Sequence, residues 1–298
     1  MKIGITGANG MLGRALVTVL SKRYKVFATS RSKGIEGEDI EWDCFDLTDA
    51  KLLDKWLDKV KPDLVVHCAA IVNVDFCEEN PELATLLHVE TTRAMSYYLE
   101  KNKGRLIYIS TDSVFDGRKS NSYSESDSVN PLNVYAKTKL MGEFFVKSMT
   151  QGLVLRTNII GQTRRGETSF FEWVLKELSD NKPLNLFYDV KFSPLDVYSL
   201  SFFIEKIVEN PLVGLYHCAS NDGISKYDFG REVARIFQLS DSNINRTSIN
   251  DAEFKAHRPK NMTLNVEKIS IALKYNLPSS MDVIKLMKYQ YDNKKGSS

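Results

Sequence analysis

The amino-acid sequence predicts an α/β protein built on a doubly wound parallel sheet, with a smaller C-terminal α/β region. In the first half of the chain, short apolar runs rich in β-branched residues alternate with amphipathic stretches of helical length. Parallel strands joined by crossover helices produce this pattern. The first apolar run also leads straight into a glycine-rich turn that opens a helix. Together these two observations predict a Rossmann-type sheet.

Strands are predicted wherever a β-branched apolar run is bounded by turn residues. They cover residues 3–6, 25–30, 40–42, 63–69, 105–110, 153–157 and 215–219. Helices are predicted between them, at residues 11–20, 49–60, 81–103, 134–149, 169–181, 197–209 and 226–237. Thr48 is the expected cap of the second helix and Lys61-Pro62 its end, while Pro81 takes the first position of the third. Residues 181–196 form a predicted turn-rich segment.

The remaining chain, residues 240–298, is expected to mix loops with short helices and to fray in its last six residues. No period of 20 to 50 residues repeats, which excludes solenoids and propellers. No apolar stretch approaches 18 residues and the first strand begins at Met1, so we expect neither export nor a membrane span.

Charge and cysteine content narrow the class of function. Forty Lys and Arg residues against 38 Asp and Glu leave a net charge of +2, too balanced for a surface that binds a nucleic acid or an anionic membrane. The four cysteines lack CxxC spacing, so neither a disulfide framework nor a zinc site is predicted. We expect reduced thiols, a cytoplasmic protein and no metal site.

Three glycines follow the first strand, at positions 7, 10 and 13. Gly7 permits a tight turn, Gly10 lets the backbone approach a pyrophosphate, and Gly13 allows the helix to pack closely on the strand. The N-terminus of that helix offers unpaired N–H groups to an anion. The sequence therefore predicts a dinucleotide site here, against the alternative of a plain glycine-rich turn.

The end of the second strand indicates which dinucleotide binds. An acidic residue there would hydrogen-bond the ribose of NAD, whereas a cation accommodates the 2′-phosphate of NADP. The chain reads Ser30-Arg31 at this point, 18 residues past Gly13, with no carboxylate before Glu36. NADPH is therefore the predicted cofactor and NADH a weaker one; a solvated basic turn is the alternative.

Further residues fall where such a cofactor would lie. Asp46-Leu47 follow the third strand, and Asp46 is interpreted equally as an adenine contact or as a helix cap. Ala69-Ala70 end the fourth strand with the small side chains that a flat cofactor needs. His67, inside an apolar run, is interpreted as a core histidine rather than a catalytic one.

The chemistry is predicted at Thr111, Tyr135 and Lys139. Thr111 ends a strand, and the four-residue offset between Tyr135 and Lys139 stacks a phenol and an ammonium on one helical face. A neighbouring ammonium and a nicotinamide cation stabilise the phenolate and bring the tyrosine pKa toward a useful range. Thr111 would polarise the same carbonyl.

The glycine motif, the strand-end Ser-Thr pair and the YxxxK spacing stand in the order found in the short-chain dehydrogenase/reductase family. The chain resembles the extended branch that acts on nucleotide sugars, and within it the dTDP-4-dehydrorhamnose reductases. Four stretches carry the resemblance: ITGANGMLGRAL (5–16), KPDLVVHCAAIVNVDFCEENPELA (61–84), ISTDSVFDGRKSNSYSESDSVNPLNVYAKTKLMGE (109–143) and RPKNMTLN (258–265).

The resemblance implies a role for each matched residue. Tyr135 would donate the proton, Lys139 bind the nicotinamide ribose and lower the tyrosine pKa, and Thr111 hold the sugar carbonyl. Substrate contacts are implied for four residues: Asp112, Ser113, Asn158 and Arg258. The expected cofactor contacts are Gly7, Asn9, Gly10, Met11, Leu12, Gly13, Ser30, Arg31, Asp46, Leu47, Ala69, Ala70, Tyr135 and Lys139.

Departures from the family pattern concern the substrate rather than the reaction. Ser113 stands where these reductases usually have a tyrosine, Ile159 replaces an aromatic residue, and 188–194 replace a glutamine-glycine-proline stretch. We expect residues 1–157 to form the NADP-binding domain, with later segments returning to it, and residues 158–298 to bind mainly the substrate.

The expected activity is NADPH-dependent reduction of the C4 carbonyl of a nucleotide-linked 4-keto-6-deoxysugar. The expected partners are the nucleotide sugar and a second copy of the chain in a homodimer. One alternative is an epimerase or dehydratase of the same branch. Those enzymes usually retain tightly bound NAD, which Arg31 of this chain disfavours. A dehydratase would also need a pair of acids beside Thr111, where Asp112-Ser113 supply only one carboxylate. The other alternative is a non-catalytic subunit like the regulatory β subunit of methionine adenosyltransferase, since a fold does not guarantee activity.

Overall fold

A computed structural model describes residues 1–163 and 169–295, with the side chains of 294 and 295 left aside. Its centre is a parallel sheet of seven strands. This confirms the predicted Rossmann-type, doubly wound α/β fold. The first half contains β1 (Lys2–Thr6), α1 (Met11–Leu20), β2 (Lys25–Ser30), β3 (Ile40–Cys44), α2 (Ala50–Val60), β4 (Leu64–His67), α3 (Val74–Glu79), α4 (Pro81–Thr85), α5 (Thr91–Lys101), β5 (Arg105–Thr111), α6 (Val134–Lys147) and β6 (Gly152–Thr157).

The second half adds one strand to that sheet and builds smaller ones. Its elements are β7 (Ile159–Ile160), α7 (Phe170–Ser179), β8 (Leu184–Phe187), β9 (Lys191–Phe192), β10 (Leu195–Asp196), α8 (Val197–Glu209), β11 (Gly214–His217), β12 (Ile224–Ser225), α9 (Lys226–Phe237), β13 (Ile244–Thr247), β14 (Asn261–Met262), α10 (Glu267–Leu273) and α11 (Ser280–Lys295). The strands of the central sheet have the order β11-β6-β5-β4-β1-β2-β3. β11 pairs with β6 at the sheet edge, so the chain returns to the central sheet after residue 157.

Helices cover both faces of the sheet, which explains why its strands read as nearly continuous apolar runs. On one face Leu16 of α1 and Ile204 of α8 share a core with Ile5 of β1, and all three are fully buried. On the other face Leu57 of α2 and Leu99 of α5 are buried against the alternate residues of the strands. The edge where the parallel strands end therefore carries the loops that can form a site.

Several local predictions are wrong in detail. Asp49, rather than Thr48 or Asp46, caps α2, because its carboxylate accepts from the backbone N–H groups of Lys51 and Leu52. Asp46 instead accepts from Thr48 in the turn before the helix. A carboxylate at this position satisfies two helix donors at once.

The long third helix and the C-terminal part also differ from expectation. The helical stretch that begins at Pro81 contains a π-helical turn at Leu86–Glu90, and α3 precedes it without having been predicted. The turn-rich segment 181–196 includes three short strands. The C-terminal part ends in a helix of 16 residues rather than in short helices alone. This helix includes residues 293–295 of the six that were expected to fray, and the other three, 296–298, lie outside the described residues.

No helix within residues 1–163 and 169–295 is long and apolar enough to span a bilayer. All four cysteines are free, and Cys77 and Cys218 are buried.

Candidate active site

The glycine turn after β1 has the backbone geometry that its sequence predicts. Gly7 has a φ of +61°, and a Cβ there would lie 2.7 Å from the backbone of Ala69. A Cβ on Gly13 would overlap the Gly7 carbonyl oxygen, so close packing of α1 on the turn needs a glycine. Gly10 caps α1 without a side-chain hydrogen bond, and the first turn of the helix holds no acidic residue. The turn therefore leaves helix N–H groups for an anion, as a dinucleotide pyrophosphate requires.

The loop after β2 lies beside this turn. The Asn9 amide donates to Ser32 Oγ at 3.0 Å, and Arg14 Nη1 donates to Asn9 Oδ1 at 2.8 Å. Arg31 is exposed, and its guanidinium makes no hydrogen bond or salt bridge to the residues that the structure describes. Its charge contributes to a lowered pKa of Asp46, after the hydrogen bonds from Thr48. Arg14 is a second cation here that the sequence analysis did not single out.

His67 lies where a core histidine is expected. It is 1% exposed, its Nδ1 is 2.6 Å from Thr6 Oγ1, and burial lowers its pKa well below the usual value.

Leu47 is buried, and Ala69-Ala70 are half-buried, with the Ala69 backbone directly behind Gly7. Small residues thus line the edge of the sheet next to the glycine turn.

Thr111 and Tyr135 are brought together by the ends of β5 and α6. Thr111 is 5% exposed at the last position of β5, and Tyr135 lies in the first turn of α6, capped by Asn133. Burial raises the pKa of Tyr135, while a hydrogen bond with Thr111 opposes the rise. The phenol is therefore protonated at neutral pH, the form that can donate a proton.

Lys139 lies one turn further along α6 and is 2% exposed. Its Nζ is 3.9 Å from the centre of the Tyr108 ring, and burial lowers its pKa to about 7 against the favourable charge of Glu143. Desolvation of the phenol, and not this ammonium, dominates the Tyr135 pKa in the structure, and the expected lowering of that pKa by Lys139 stays a prediction. The four-residue offset places both groups on one helical face, but the ammonium packs on another tyrosine.

The burial of Lys139 predicts a pH-dependent stability. We expect Lys139→Met to raise the free energy of unfolding at pH 6 by more than about 1 kcal/mol, because it removes a buried charge. Folding lowers the pKa of Lys139 in the wild type from 10.5 to about 7. Between these two pH values the unfolded chain binds more protons than the folded protein, so the free energy of unfolding of the wild type rises with pH. The difference between the variants should therefore shrink across that window.

Urea denaturation at several pH values checks this, with Lys137→Met, an exposed lysine of the same helix, as the control. A stability difference that stays constant from pH 6 to pH 10 would contradict it.

Asp112 and Asn158 meet beside Thr111. Asn158 Nδ2 donates to Asp112 Oδ2 at 2.5 Å, and Thr111 Oγ1 and Ser113 Oγ lie 3.1 and 3.3 Å from Asp112 Oδ1. Burial raises the pKa of Asp112 against these hydrogen bonds. Three of the residues expected to contact a substrate therefore form one hydrogen-bonded group at the end of β5.

Arg258 approaches from another direction. Its Nη2 donates to Asp75 of α3 at 2.8 Å, its guanidinium lies 4.3 Å from the Phe254 ring centre, and its buried Nε has no hydrogen-bond partner among the described residues. Arg258 therefore does not join the Asp112 group directly. Burial lowers the pKa of Lys226, at the start of α9, to about 7; the charge of Asp112 opposes this shift and that of Arg258 adds to it.

His88 and Lys226 are site residues that the sequence analysis did not identify. His88 occupies the π-helical turn, where its Nε2 accepts from the Ile71 N–H at 2.9 Å and its Nδ1 therefore donates to Thr138 Oγ1 at 2.8 Å. Its ring meets the Tyr135 ring edge-on at 5.8 Å. A π-helical turn often marks a functional site, but no local sequence signal announces one.

Within the described part of the chain, no group of three His, Cys, Asp or Glu side chains is arranged to hold a metal ion.

Comparison with known proteins identifies the family. The family model described as the RmlD substrate binding domain matches residues 1–291. The chain is 29% identical to a dTDP-4-dehydrorhamnose reductase of Aggregatibacter actinomycetemcomitans, over 90% of this chain and 92% of the relative. It is also 31% identical to the methionine adenosyltransferase 2 subunit beta of Xenopus tropicalis, over 89% of this chain and 80% of the relative.

The fold is shared with a solved dTDP-4-dehydrorhamnose reductase of Bacillus anthracis in complex with NADP. The TM-score is 0.87 at 24% identity, covering 97% of this chain and 99% of that one. With a family match over nearly its whole length and a Rossmann-type sheet of the same architecture, this chain belongs to the RmlD substrate-binding domain family, the extended short-chain dehydrogenases/reductases that include the dTDP-4-dehydrorhamnose reductases.

Proposed function

We propose that this protein catalyses the NADPH-dependent reduction of the C4 carbonyl of a nucleotide-linked 4-keto-6-deoxysugar. The observation that carries the proposal is that the end of β5 and the first turn of α6 bring the buried Thr111 and the half-buried Tyr135 together, with Lys139 one helical turn away. Two hydroxyl donors held at one point can fix and polarise a carbonyl oxygen. The reductase among the relatives supports the same reaction type.

Each residue has a separate role in this proposal. Thr111 and Tyr135 bind the carbonyl oxygen, and Tyr135 gives it a proton as the carbon is reduced. Lys139 binds the ribose next to the nicotinamide through its ammonium. Asp112 and Asn158 orient the sugar, and the hydrogen bond between them already holds both side chains in place.

The glycine turn fits a nicotinamide dinucleotide, since Gly10 leaves the start of α1 without a side-chain cap. When bound, the dinucleotide supplies the hydride. The NADP in the Bacillus anthracis reductase and the free guanidinium of Arg31 support NADPH, with NADH weaker. We assign cofactor binding mainly to residues 1–157 and substrate binding mainly to residues 158–298. A homodimer and a cytoplasmic location remain predictions from the sequence.

The proposed activity is tested by mixing the protein and NADPH with a panel of dTDP- and UDP-linked 4-keto-6-deoxysugars. Loss of NADPH absorbance and a C4-reduced product are expected. A protein that binds NADPH but reduces no member of the panel would favour the regulatory alternative, which the methionine adenosyltransferase relative supports. An epimerised or dehydrated product without net NADPH oxidation would favour the other enzymatic alternative.

The cofactor preference predicts the effect of Arg31→Asp. Wild type should bind NADPH more tightly than NADH, and the variant should lose that preference, because a carboxylate repels the 2′-phosphate where a guanidinium would bind it. Isothermal titration with both cofactors measures this, and Lys33→Asp is the matched control because Lys33 already pairs with Glu36. The assignment is wrong if wild type prefers NADH and Arg31→Asp changes neither affinity tenfold, about 1.4 kcal/mol.

A further inference from the structure

The imidazole of His88 joins two parts of the site that lie far apart along the chain. His88 belongs to the π-helical turn Leu86–Glu90 and is fully buried. Its Nε2 accepts from the backbone N–H of Ile71 at 2.9 Å, in the loop that follows β4. Its Nδ1 lies 2.8 Å from Thr138 Oγ1 on α6. One side chain therefore links the sheet edge where the cofactor is expected to the helix that carries Tyr135.

The hydrogen bonds of this link have one direction. Because Nε2 accepts from an N–H group, the neutral imidazole carries its hydrogen on Nδ1 and donates it to Thr138. Burial lowers the pKa of His88 to about 3, so the ring is neutral at physiological pH. Thr138 Oγ1 in turn lies 2.9 and 3.0 Å from the carbonyl oxygens of Val134 and Tyr135, either of which can accept its hydrogen bond. The chain of donors thus runs from the Ile71 N–H to the first turn of α6, with both ring nitrogens paired.

The backbone of His88 is held as well as its ring. Its carbonyl accepts from Thr92 Oγ1 at 2.7 Å, and the Tyr108 hydroxyl of β5 lies 3.5 Å from the same oxygen. A Cβ on Gly142 of α6 would lie 2.7 Å from this carbonyl oxygen, so α6 approaches the turn as closely as a glycine permits. The π-helical turn is therefore packed between β5 and α6, and the imidazole starts from a fixed backbone.

The imidazole also contacts the tyrosine that is proposed to donate the proton. Its ring meets the Tyr135 ring edge-on, with 5.8 Å between the ring centres. Aromatic rings prefer such an arrangement, so the contact favours one orientation of the phenol. Tyr135 is thus constrained twice by His88, on its ring and, through Thr138, on its backbone carbonyl. A proton donor depends on such constraints, because a misplacement of about 1 Å can cost about 10²-fold in rate.

We propose that His88 is a positioning residue for the reduction, which fixes Tyr135 relative to the sheet edge where the nicotinamide is expected. This rests on the proposed function, because it takes Tyr135 as the proton donor. In this role His88 acts through Tyr135 and not on the carbonyl itself. Its loss should therefore lower kcat rather than the affinity for NADPH, which we assign mainly to the glycine turn and Arg31.

Two substitutions separate the hydrogen bonds of the ring from its volume. His88→Leu fills the space but can neither accept from Ile71 nor donate to Thr138, whereas the amide of His88→Gln keeps one acceptor and one donor. We expect His88→Leu to lower kcat at least about tenfold, with the Kd for NADPH changed less than about threefold. The kcat of His88→Gln should be at least about threefold higher than that of His88→Leu. Stopped-flow oxidation of NADPH with the 4-keto sugar nucleotide found in the substrate panel gives kcat, and isothermal titration gives the Kd.

The matched control is His217→Leu. His217 is also fully buried, burial lowers its pKa to about 3, and its Nδ1 lies 3.1 Å from the Tyr123 carbonyl oxygen. It lies on the edge strand β11, so its loss should lower stability without changing kcat, measured at a temperature where every variant is folded by circular dichroism. An equal fall in kcat for both leucine variants would assign the effect to destabilisation and overturn the proposal. A kcat of His88→Leu within about threefold of wild type, or a kcat of His88→Gln no higher than that of His88→Leu, would also overturn it.

A second measurement does not depend on turnover. Amide hydrogen exchange followed by NMR on the NADPH-bound protein should show a protected Ile71 N–H in the wild type and in His88→Gln. In His88→Leu this amide should exchange at least about tenfold faster. The nitrogen-15 signals of the His88 ring should show the Nδ1–H tautomer from about pH 5 to pH 8, because the ring stays neutral there. Unchanged exchange in His88→Leu, or the other tautomer, overturns the proposal.

Failure of the proposed function gives a different result. If the wild type reduces no 4-keto sugar while the Ile71 N–H loses its protection only in His88→Leu, the reaction is wrong and the link from the sheet edge to Tyr135 stands. If the wild type reduces the sugar and His88→Leu is equally fast, the reaction stands and the positioning role is wrong.

Discussion

Tyr135→Phe should lower the kcat of carbonyl reduction by about 10²- to 10⁴-fold, the usual contribution of a positioned acid. The substitution removes one phenol hydroxyl and leaves the ring in its edge-on contact with His88. The fold should therefore be preserved, and the affinity for NADPH should stay within about twofold of wild type, because almost no packing volume is lost. Burial raises the pKa of Tyr135, so the proton is available at neutral pH.

Stopped-flow oxidation of NADPH with the 4-keto sugar nucleotide found in the substrate panel measures the loss. Tyr98→Phe is the matched control, since it removes a phenol hydroxyl that donates to the Leu57 carbonyl at 3.0 Å, far from Thr111 along the chain. A rate for Tyr135→Phe within about threefold of wild type would exclude the tyrosine from the mechanism.

Glu143→Ala should lower the free energy of unfolding by about 3 to 5 kcal/mol, because it leaves a buried guanidinium without its counter-ion. Glu143 and Arg156 are 1% and 2% exposed and form a two-pronged ion pair, with nitrogen–oxygen distances of 2.9 and 2.7 Å. Ser110 adds a hydrogen bond of 2.6 Å to the same carboxylate. The pair ties α6, which carries Tyr135, to β6.

Urea denaturation measures this effect. Glu36→Ala breaks the exposed Lys33–Glu36 pair instead and should have a far smaller effect on the free energy of unfolding. The double variant Glu143→Met with Arg156→Met should recover most of the loss, because two apolar side chains replace the pair without leaving a charge. A Glu143→Ala change no larger than that of Glu36→Ala would contradict the prediction.

Much of the fold could be predicted because its signals are local. The β-branched runs, the helical periods and the glycines at positions 7 and 13 act within a few residues, and the structure confirms the strands of the parallel sheet and the positive φ of Gly7. The YxxxK spacing likewise places Tyr135 and Lys139 on one helical turn. The helix cap at Asp49 was misassigned by one residue, since Thr48 and Asp49 carry equally suitable oxygens and only the entry angle of the chain selects one.

By itself, the sequence determined the class of fold, the glycine turn and the residues at the end of β5 and the start of α6, because periodicity and backbone stereochemistry act over short distances. Only the tertiary structure decided which charges meet. Lys255 pairs with Glu79 across 176 positions, and Arg258 pairs with Asp75 across 183. It also decided the protonation behaviour of Tyr135 and Lys139, because desolvation depends on everything packed around a group and outweighs the neighbour that the sequence displays.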